Sequence, residues 1–429
     1  MTYLRNPQPV RGRLYGVFWR WHFFAALIVI PFVLWQSTTG TLYLWSEWWM
    51  DLRHPELRFV EPAPNLATPS LQITAALASI GGAHSRAPVQ GILISDDPHR
   101  STIVLLRNAS GLNYPVFVNP YDARVLGSLV AAEWLPGITR SLHGGWPLGG
   151  PGSWLLELGD GWAIAMIATG LYLWWPRGRS LGRALWPRFH AGPRVLVRDL
   201  HACVAVLFST IFLFFLVSAL PWTAFWGGQV LSRVQYALGQ VSPAGFSPGG
   251  ASIPQIASTL GSIDEIVSAA RARGVVGTLD IRLAPWAGAP LFVSNRDNAP
   301  TDDRTILGDP MSGTVKGDFH NTDLPLIPRL VAIGVHVHEG DFGPANLWIN
   351  TAFASSLVWL STTGVLSWWI RRPKHALGAP PKFSIEWPRP LLLALGVMCL
   401  LFPIFGTSVA VVAGADRLAA LGLRRRLVH

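Results

Sequence analysis

Cysteine is nearly absent from this chain, which has 2 cysteines among its 429 residues. Both of them, Cys203 and Cys399, lie inside apolar runs, and neither belongs to a Cys-x-x-Cys or a Cys-x-x-Cys-His element. A disulfide framework, a structural zinc site and covalently attached c-type haem each need more cysteines or a different spacing. The sequence therefore disfavours all three.

Charged side chains are also scarce. They make up 14% of the residues, whereas a soluble domain carries about 25%, and half of the composition is hydrophobic with 21 tryptophans. Five apolar stretches are each long enough to cross roughly 30 Å of hydrocarbon at about 1.5 Å per residue. They are Trp19–Trp45, Trp154–Trp175, His201–Trp222, Trp348–Trp369 and Leu391–Ala413. The pattern predicts an α-helical integral membrane protein with four core transmembrane helices and a C-terminal hydrophobic segment, which spans once or folds back at Pro403.

The net charge of +10 comes from arginines that flank the apolar stretches, which indicates topology and not nucleic-acid binding. Segments 1–20 and 176–198 contain arginines and no acidic residue. Segment 46–150 has seven basic and eight acidic residues, and segment 223–343 has eight basic and eleven acidic residues. The positive-inside rule places the N-terminus in the cytoplasm and both long segments in the periplasm, on the outer side of a bacterial inner membrane.

Both long segments have the pattern of small α+β domains. A helix begins at Thr68-Pro69, where threonine caps the helix and proline occupies its first turn. The predicted strands are Gly91–Ser95, Thr102–Arg107 and Pro115–Asn119 in the first segment and Gly277–Leu283 and Pro290–Asn295 in the second, which also has a predicted helix at Ser262–Ala272. Similar turn sequences, Asn119–Gly127 and Asp309–Gly317, close the two segments and indicate an internal repeat.

The repeat continues into the membrane helices. The second span ends on Thr169-Gly170 followed by two tryptophans, and the fourth ends on Thr363-Gly364 followed by two tryptophans. The spacing from His143 to Gly170 matches the spacing from His338 to Gly364 to within a single position. Similarly, His22 precedes Gly40 by the same interval as His201 precedes Ala219. We interpret the architecture as a span, a domain and a span, duplicated.

This interpretation divides the chain into six parts. They are an N-terminal arm with the first helix (1–45), a first periplasmic domain (46–142), the second and third helices with a basic cytoplasmic loop (143–222), a second periplasmic domain (223–337), the fourth helix (338–372), and a cytoplasmic linker with the C-terminal hydrophobic segment (373–429).

The repeated histidines are candidate haem ligands. His22 and His201 lie near the cytoplasmic ends of their helices, and His143 and His338 lie near the outer face. Haem iron takes two axial ligands on opposite faces, which imidazoles from two facing helices supply. A lone histidine at a membrane end is usually an interfacial hydrogen-bonding group, but four at repeat-equivalent positions favour ligation because polar groups at membrane depth are costly. The two pairs would lie roughly 20 Å apart, about 13 residues of helix.

His336 competes with His338 for the outer site. On a helix the two side chains point about 200° apart, so one of them alone faces a shared iron. Gly340 follows His338 as Gly145 follows His143, which favours His338.

Four charged residues near the spans have simpler interpretations. Arg20 and Arg198 precede the inner histidines, and we expect them to determine topology or to pair with haem propionates. Glu157 and Asp160 have the position of solvated charges at the outer end of the second span, with a proton path as the alternative.

The repeated motifs resemble those of the PepSY-associated transmembrane family. The resemblance rests on the span end Thr169–Arg177, on the His-x-Gly elements at His143 and His338, and on the turn Asn119–Gly127, and it covers roughly residues 15–415. That family includes iron-regulated inner-membrane proteins and ferric-siderophore reductases of the FoxB type. The turn of this chain departs from the family in having Ala123 where glycine is usual.

The resemblance implies two b-type haems that carry electrons to a ferric siderophore in the periplasm, with His22, His201, His143 and His338 as iron ligands. No flavin or nicotinamide fingerprint is visible in the sequence, so we expect a separate electron donor on the cytoplasmic side, either a quinol or a reductase. Two other hypotheses stay open at this point: a non-redox membrane protein whose PepSY-like domains bind or regulate a secreted peptidase, and a metal-ion permease. The permease is disfavoured because the spans contain almost no acidic or thiol groups at mid-bilayer depth.

Overall fold

The computed structural model describes residues 10–79, 89–107, 113–130, 133–145, 148, 150–178, 180–241, 260–282, 291–295, 304–309, 311–383 and 387–426. The chain forms two compact units. The helical unit comprises Met1–Thr38, His143–Gln229 and Ala352–His429. The sheet unit comprises Thr39–Leu142 and Val230–Thr351.

Most of the described chain is helical. The α-helices are α1 (Val10–Leu44), α2 (Ser46–Arg53), α3 (Pro55–Arg58), α4 (Pro69–Ser79), α5 (Leu135–His143), α6 (Gly150–Trp174), α7 (Leu181–Ala184), α8 (Pro193–Ala219), α9 (Ser232–Ala237), α10 (Leu260–Ala272), α11 (Leu326–Glu339), α12 (Pro344–Arg371), α13 (Arg389–Leu401) and α14 (Pro403–Arg426). A turn of 3-10 helix, Leu220–Trp222, and a π-helix, Trp226–Leu231, follow α8.

Two helical segments are long and apolar enough to cross a membrane among the residues that the structure describes: Gly12–Leu44 in α1, and Pro193–Trp222, which is α8 with the 3-10 turn that follows it. They contain the predicted third span and all of the predicted first span except Trp45. The predicted second and fourth spans lie in α6 and α12, which have 25 and 28 residues. At about 1.5 Å per residue both reach across a bilayer. Polar side chains and tryptophans lower their hydropathy, so the four-span architecture stays a prediction.

The four long helices of the helical unit share one apolar core. Val29 of α1, Ala163 of α6, Phe212 of α8 and Phe353 of α12 are all buried in it. The rings of Phe215 and Phe353 stack with centroids 4.4 Å apart, which joins α8 to α12. This core holds the helices that carry the inner histidines in one bundle.

The C-terminal segment breaks at Pro403, which lacks the amide hydrogen needed to continue α13 and begins α14 instead. The chain bends sharply here, since a Cβ atom on Gly406 would lie 2.8 Å from the carbonyl oxygen of Cys399. Trp162 of α6 donates from Nε1 to Ser408 Oγ at 3.1 Å, which fastens α14 to α6.

The sheet unit contains one eight-stranded antiparallel sheet with the strand order β4-β3-β2-β1-β5-β6-β7-β8. The strands are β1 (Val89–Ile94), β2 (Thr102–Arg107), β3 (Asn113–Val118), β4 (Val125–Ser128), β5 (Leu279–Arg282), β6 (Leu291–Asn295), β7 (Arg304–Gly308) and β8 (Val315–His320). Ile92 of β1 pairs with Ile281 of β5, so hydrogen bonds between these strands join the two predicted α+β domains in one sheet. The domain boundaries themselves stay predictions.

Helices α4 and α10 cover one face of this sheet. Ile73 and Ile263 on the helices are completely buried against alternate strand residues such as Val104 and Val293. This is the period-two pattern of a sheet with one face in a core.

The predicted helices at Thr68-Pro69 and Ser262–Ala272 are confirmed as α4 and α10. The predicted strands correspond to β1, β2, β3, β5 and β6 within a few residues. Of the predicted strand ends, Leu283 and Pro290 lie outside the described residues. The prediction missed β4, β7 and β8.

The two repeated turns have the same hydrogen bonds. The amide of Ala123 donates to the carbonyl of Asn119 at 3.0 Å, and the amide of Gly313 donates to the carbonyl of Asp309 at 2.9 Å. Ala123 and Gly313 are both left-handed, with φ of 56° and 67°. Each turn is preceded by a register shift in its strand pair, between residues 117 and 118 and between residues 307 and 308. The turn repeat predicted from sequence is therefore present in the backbone.

The substitution Gly313→Ala is expected to destabilise the protein by about 1–2 kcal/mol, because a side chain in left-handed backbone crowds the following carbonyl. The added Cβ would also meet the carboxylate of Glu265. The reverse change in the other turn, Ala123→Gly, relieves that strain but loses a buried methyl group, so we expect a near-neutral effect. Thermal unfolding of the full-length protein in detergent measures both, and a Gly313→Ala variant as stable as the wild type would contradict the shared turn geometry.

Asp51 in α2 connects two arginines of the sheet unit. It accepts from Arg58 Nε at 2.8 Å and from Arg100 Nη2 at 2.7 Å, and the Arg58 side chain is 8% exposed. Burial raises the pKa of Asp51, but hydrogen bonds and charge from Arg100 and Arg58 outweigh burial, so the net pKa is lowered. Because the pKa of Asp51 is lower in the folded protein, its ionisation stabilises the fold at pH values above the unfolded-state pKa of about 3.9. This contribution to stability is lost as the pH falls through the folded-state pKa.

Lowering the pH should therefore destabilise the sheet unit, because Asp51 becomes protonated and loses its charge. We expect Asp51→Asn to unfold at lower temperature than the wild type at pH 7, and the gap to narrow as the pH is lowered below about 4. Melting curves of both proteins across that pH range check this expectation. A gap that stays constant with pH would mean that the Asp51 charge does not stabilise the fold.

Candidate functional site

His22 lies on α1 with its imidazole held against α6. Its Nδ1 lies 3.1 Å from the carbonyl oxygen of Met166 and 3.2 Å from Thr169 Oγ1. A carbonyl oxygen only accepts, so Nδ1 carries the proton and donates it. In that tautomer the other ring nitrogen, Nε2, has a lone pair for binding a metal.

His201 on α8 has the same relation to α12. Its Nδ1 lies 3.0 Å from Thr363 Oγ1, and that hydroxyl donates to the carbonyl of Trp359 at 2.8 Å. Because the single hydroxyl hydrogen of Thr363 is used in this way, its oxygen accepts from the histidine. The Nδ1–H tautomer therefore holds for His201 as well, and Nε2 again keeps its lone pair.

A glycine beside each threonine makes room for the imidazole. A Cβ atom on Gly170 would lie 3.0 Å from Cε1 of His22, and one on Gly364 would lie 3.6 Å from Cε1 of His201. The repeated Thr-Gly pair thus has two roles: threonine accepts the Nδ1 proton, and glycine lets the ring pack against the helix backbone. Sequence comparison of the two halves identified this pair but gave it no role.

The two imidazoles line one cavity of about 930 Å³ within the helical unit. Residues of α1, α6, α8 and α12 form its walls, which are mainly apolar, and they include aromatic side chains such as Trp19 and Phe208. Ser367 of α12 also lines the cavity, and its buried hydroxyl has no hydrogen-bond partner among the described residues. The cavity therefore offers two imidazoles and one unsatisfied hydroxyl on an apolar surface.

Arginines lie along the wall of the same cavity. Arg188 and Arg198 line it and both pair with Asp199, at 2.7 and 3.0 Å. Arg371 also lines it, with its guanidinium 4.6 Å from the ring centroid of Trp19. These side chains give one part of an otherwise apolar cavity a positive charge suited to an anionic group.

Arg20, the other arginine predicted beside the inner histidines, has a different environment. Its guanidinium donates to the carbonyl of Pro380 and lies 4.7 Å from the ring centroid of Phe24. It is not among the described residues that line the cavity. Of the two predicted arginines, Arg198 alone reaches the site.

The predicted outer histidines belong to different units. His143 is the last residue of α5 and lies in the helical unit, where its carbonyl oxygen accepts from Gln36 Nε2 of α1 at 3.2 Å. His338 lies in the sheet unit, one residue from the end of α11. Asn350 Nδ2 donates to the His338 carbonyl at 3.1 Å. Their pairing stays a prediction.

His336 is held by an acidic partner within the sheet unit. Its Nδ1 lies 2.8 Å from Asp341 Oδ2, just beyond the left-handed Gly340 that ends α11. His338 stays the predicted outer ligand, with His336 as the alternative.

Glu157 and Asp160 are not solvated helix-end charges, as the simpler interpretation of the sequence proposed. Glu157 is 2% exposed and Asp160 is 4% exposed. The prediction was wrong because α6 begins well before Glu157, at Gly150, and the turn after α8 packs over this face.

Cys203 and Cys399 are free thiols, and both are partly buried.

A comparison with known protein families identifies the family of this chain. A family described as "PepSY-associated TM region" matches residues 19–371, which is more than half of the chain. This chain belongs to that family. The match begins just before His22 and ends at Arg371, so it includes all four predicted ligand histidines. No curated protein matches the chain. Membership in this family and two apolar helices together indicate a membrane location.

Proposed function

We propose that this PepSY-associated membrane protein is a haem-dependent oxidoreductase, which passes electrons across the bacterial inner membrane to a ferric siderophore in the periplasm. One observation carries the proposal: two imidazoles in one apolar cavity, each held by a threonine in the tautomer that presents Nε2 to a metal.

The residues of the cavity fit a b-type haem. Its volume of about 930 Å³ lies within the range of roughly 300–1,000 Å³ that cofactor sites occupy. His22 and His201 would hold its iron through imidazole nitrogens from two different helices. Arg198 and Arg371 would offer positive charge to its propionates, and Ser367 would offer a hydroxyl that has no hydrogen-bond partner among the described residues.

The protein residues around such a haem have separate tasks. Thr169 and Thr363 orient the imidazoles and increase their basicity through the Nδ1 hydrogen bonds. Gly170 and Gly364 let the rings lie close to the helix backbone. The apolar wall excludes water and thereby sets the redox potential. The haem itself supplies one-electron transfer.

A second haem near the outer face completes the proposed conduit, with His143 and His338 as ligands and His336 as the alternative to His338. Support comes from the internal duplication, which the matching turns and the matching Thr-Gly contacts favour. If the halves are duplicates, each would supply one of the two equivalent histidines to such a site. In this arrangement α1, α6, α8 and α12 are the four core transmembrane helices.

The charge distribution supports a direction for electron flow. The arginine-rich segments favour a cytoplasmic location for the inner site, where a quinol or a reductase would be the electron donor. The sheet unit then lies in the periplasm, where it meets the ferric chelate. Siderophores bind Fe(III) through hard oxygen ligands, which hold Fe(II) less well, so reduction releases the iron.

Reduction of a ferric chelate by the purified protein tests this function. Full-length protein in lipid nanodiscs is reduced with dithionite, freed of reductant, and mixed without oxygen with a ferric hydroxamate siderophore or, in parallel, a ferric catecholate. We expect haem oxidation together with stoichiometric Fe(II), trapped by a ferrous-specific chromophore, for at least one chelate. Haem that stays reduced with both chelates would exclude ferric-siderophore reduction while leaving haem binding intact.

A further inference from the structure

Two carboxylic acids lie one turn apart inside α6. Glu157 and Asp160 are 2% and 4% exposed, in the helix that also holds Thr169 of the inner site. Alignment of Thr169 with Thr363 places Thr351 and Ala354 at the corresponding positions of the other half. The acids are therefore peculiar to one half and have no part in the paired-histidine arrangement.

Glu157 is surrounded by hydrogen-bond donors. Its Oε1 accepts the amide hydrogens of Phe225 and Trp226, at 2.9 and 3.1 Å, in the turn that follows α8. One turn earlier on α6, Ser153 Oγ accepts the amide of Ala224 at 2.7 Å. Two amide donors on one carboxylate oxygen favour the ionised form of this carboxyl group.

Asp160 has the opposite environment. Its Oδ2 is buried and has no hydrogen-bond partner among the described residues. The helices packed against this part of α6 present apolar groups: Phe32 of α1 beside Gly159 and Phe405 of α14 beside Gly161. The C-terminal end of α8 contributes Leu216 and Leu220 to the same core.

The neighbouring acid is Glu157, one turn earlier on the same helix. Among the described residues, no cationic side chain forms a hydrogen bond with Asp160 Oδ2. An ionised carboxylate without a partner costs several kcal/mol in an apolar interior, and a neighbouring negative charge raises that cost. A proton on Oδ2 removes both costs.

We propose that Glu157 and Asp160 form a proton-binding site inside the helical unit, in which Asp160 holds the proton and Glu157 holds the negative charge. The site binds a single proton, which it exchanges with water. No other described side chain takes part in binding this proton.

The position of the site gives it a redox role, and this role rests on the proposed function. Asp160 precedes Thr169 on α6 by about 13–14 Å of helix. If a haem is held beside Thr169, an electron placed on it by an added reductant would interact favourably with a proton on Asp160 across the apolar core. In alkaline solution, where part of the protein has lost this proton, reduction by one electron from that reductant would be accompanied by the uptake of one proton from water onto Asp160. The proton compensates the charge of the incoming electron.

Infrared spectroscopy of the full-length protein tests the proton site without any need for haem. We expect the wild type to show the carbonyl stretching band of a buried protonated carboxylic acid at neutral pH. The band should disappear in Asp160→Asn, remain in Glu157→Gln, and shift in frequency in Asp160→Glu, which keeps an acid at the position if the amide variant does not fold. As a control, Asp199→Asn should leave the band unchanged, because Asp199 is ionised between two arginines.

A band that is absent from the wild type, or that disappears in Glu157→Gln and remains in Asp160→Asn, would overturn the assignment. Redox titration provides the second readout: we expect the inner-haem potential to fall with rising alkaline pH in the wild type and to lose that dependence in Asp160→Asn. A potential that falls equally in both proteins would refute the coupling. Colourless protein with the infrared band present would refute the proposed haem function and leave the proton site standing.

Discussion

Replacement of His22 by alanine is expected to remove about half of the haem that the protein binds, and His201→Ala is expected to have the same effect. Each variant deprives the inner haem of one axial ligand in a cavity where the described residues offer no other imidazole. The outer site has its own histidines and should keep its haem. The measurement is the ratio of extracted haem to protein in the purified variants.

His190→Ala is the matched control, because His190 is exposed and lies between α7 and α8 outside the cavity lining. It should bind as much haem as the wild type. The double variant, His22→Ala with His201→Ala, should lose no more haem than either single variant, since both residues serve one site. Full haem content in both single variants would show that these histidines are not the ligands, whatever the protein binds elsewhere.

The paired glycines predict an unequal effect of the same substitution in the two halves. Gly170→Ala places a Cβ atom 3.0 Å from Cε1 of His22, which forces the ring to move by a few tenths of an ångström. Gly364→Ala places its Cβ 3.6 Å from Cε1 of His201, which is an ordinary contact. Overpacking of this kind costs about 1–3 kcal/mol, so we expect Gly170→Ala to weaken inner-haem affinity by roughly 10-fold or more. Gly364→Ala should bind almost as tightly as the wild type.

Helix stability does not confound this comparison. Both glycines lie inside helices, and alanine is better than glycine in a helix interior by about 1 kcal/mol at either position. Haem titration of apoprotein, with thermal unfolding of the same samples, separates affinity from stability. Equal affinities for the two variants would show that the close contact with His22 does not position a ligand.

The sequence was sufficient to predict the membrane family, the long helices and the inner histidine pair. These predictions rest on periodic and repeated features: apolar runs of bilayer length, and histidines at the same spacing from matching span ends. The structure places both His22 and His201 on the wall of one cavity, in agreement with their matching positions in the sequence.

Other features depend on contacts between distant parts of the chain. The roles of Thr169 and Thr363 require knowing that α1 packs on α6 and that α8 packs on α12, 147 and 162 residues away. The union of two predicted domains in one sheet depends on the pairing of β1 with β5, which no local pattern encodes. Strands such as β4, with four residues, are too short for alternation to identify them.

The burial of Glu157 and Asp160 also depends on contacts between distant parts of the chain, so it could not be predicted from the sequence. From the sequence they follow Trp154, a residue typical of the membrane interface, and so resemble solvated helix-end charges. In the fold, the turn after α8 reaches back over them and supplies two amide donors to Glu157. Tertiary packing, and not depth along the helix, decides their environment.

The most direct test of the central claim is the optical spectrum of the full-length protein purified from haem-replete cells, recorded oxidised and dithionite-reduced together with the haem-to-protein ratio. Two bis-histidine b-type haems predict a six-coordinate low-spin spectrum in both states and a ratio near two. Colourless protein, or a five-coordinate haem that binds carbon monoxide as readily in the wild type as in His22→Ala, would contradict paired imidazole ligation.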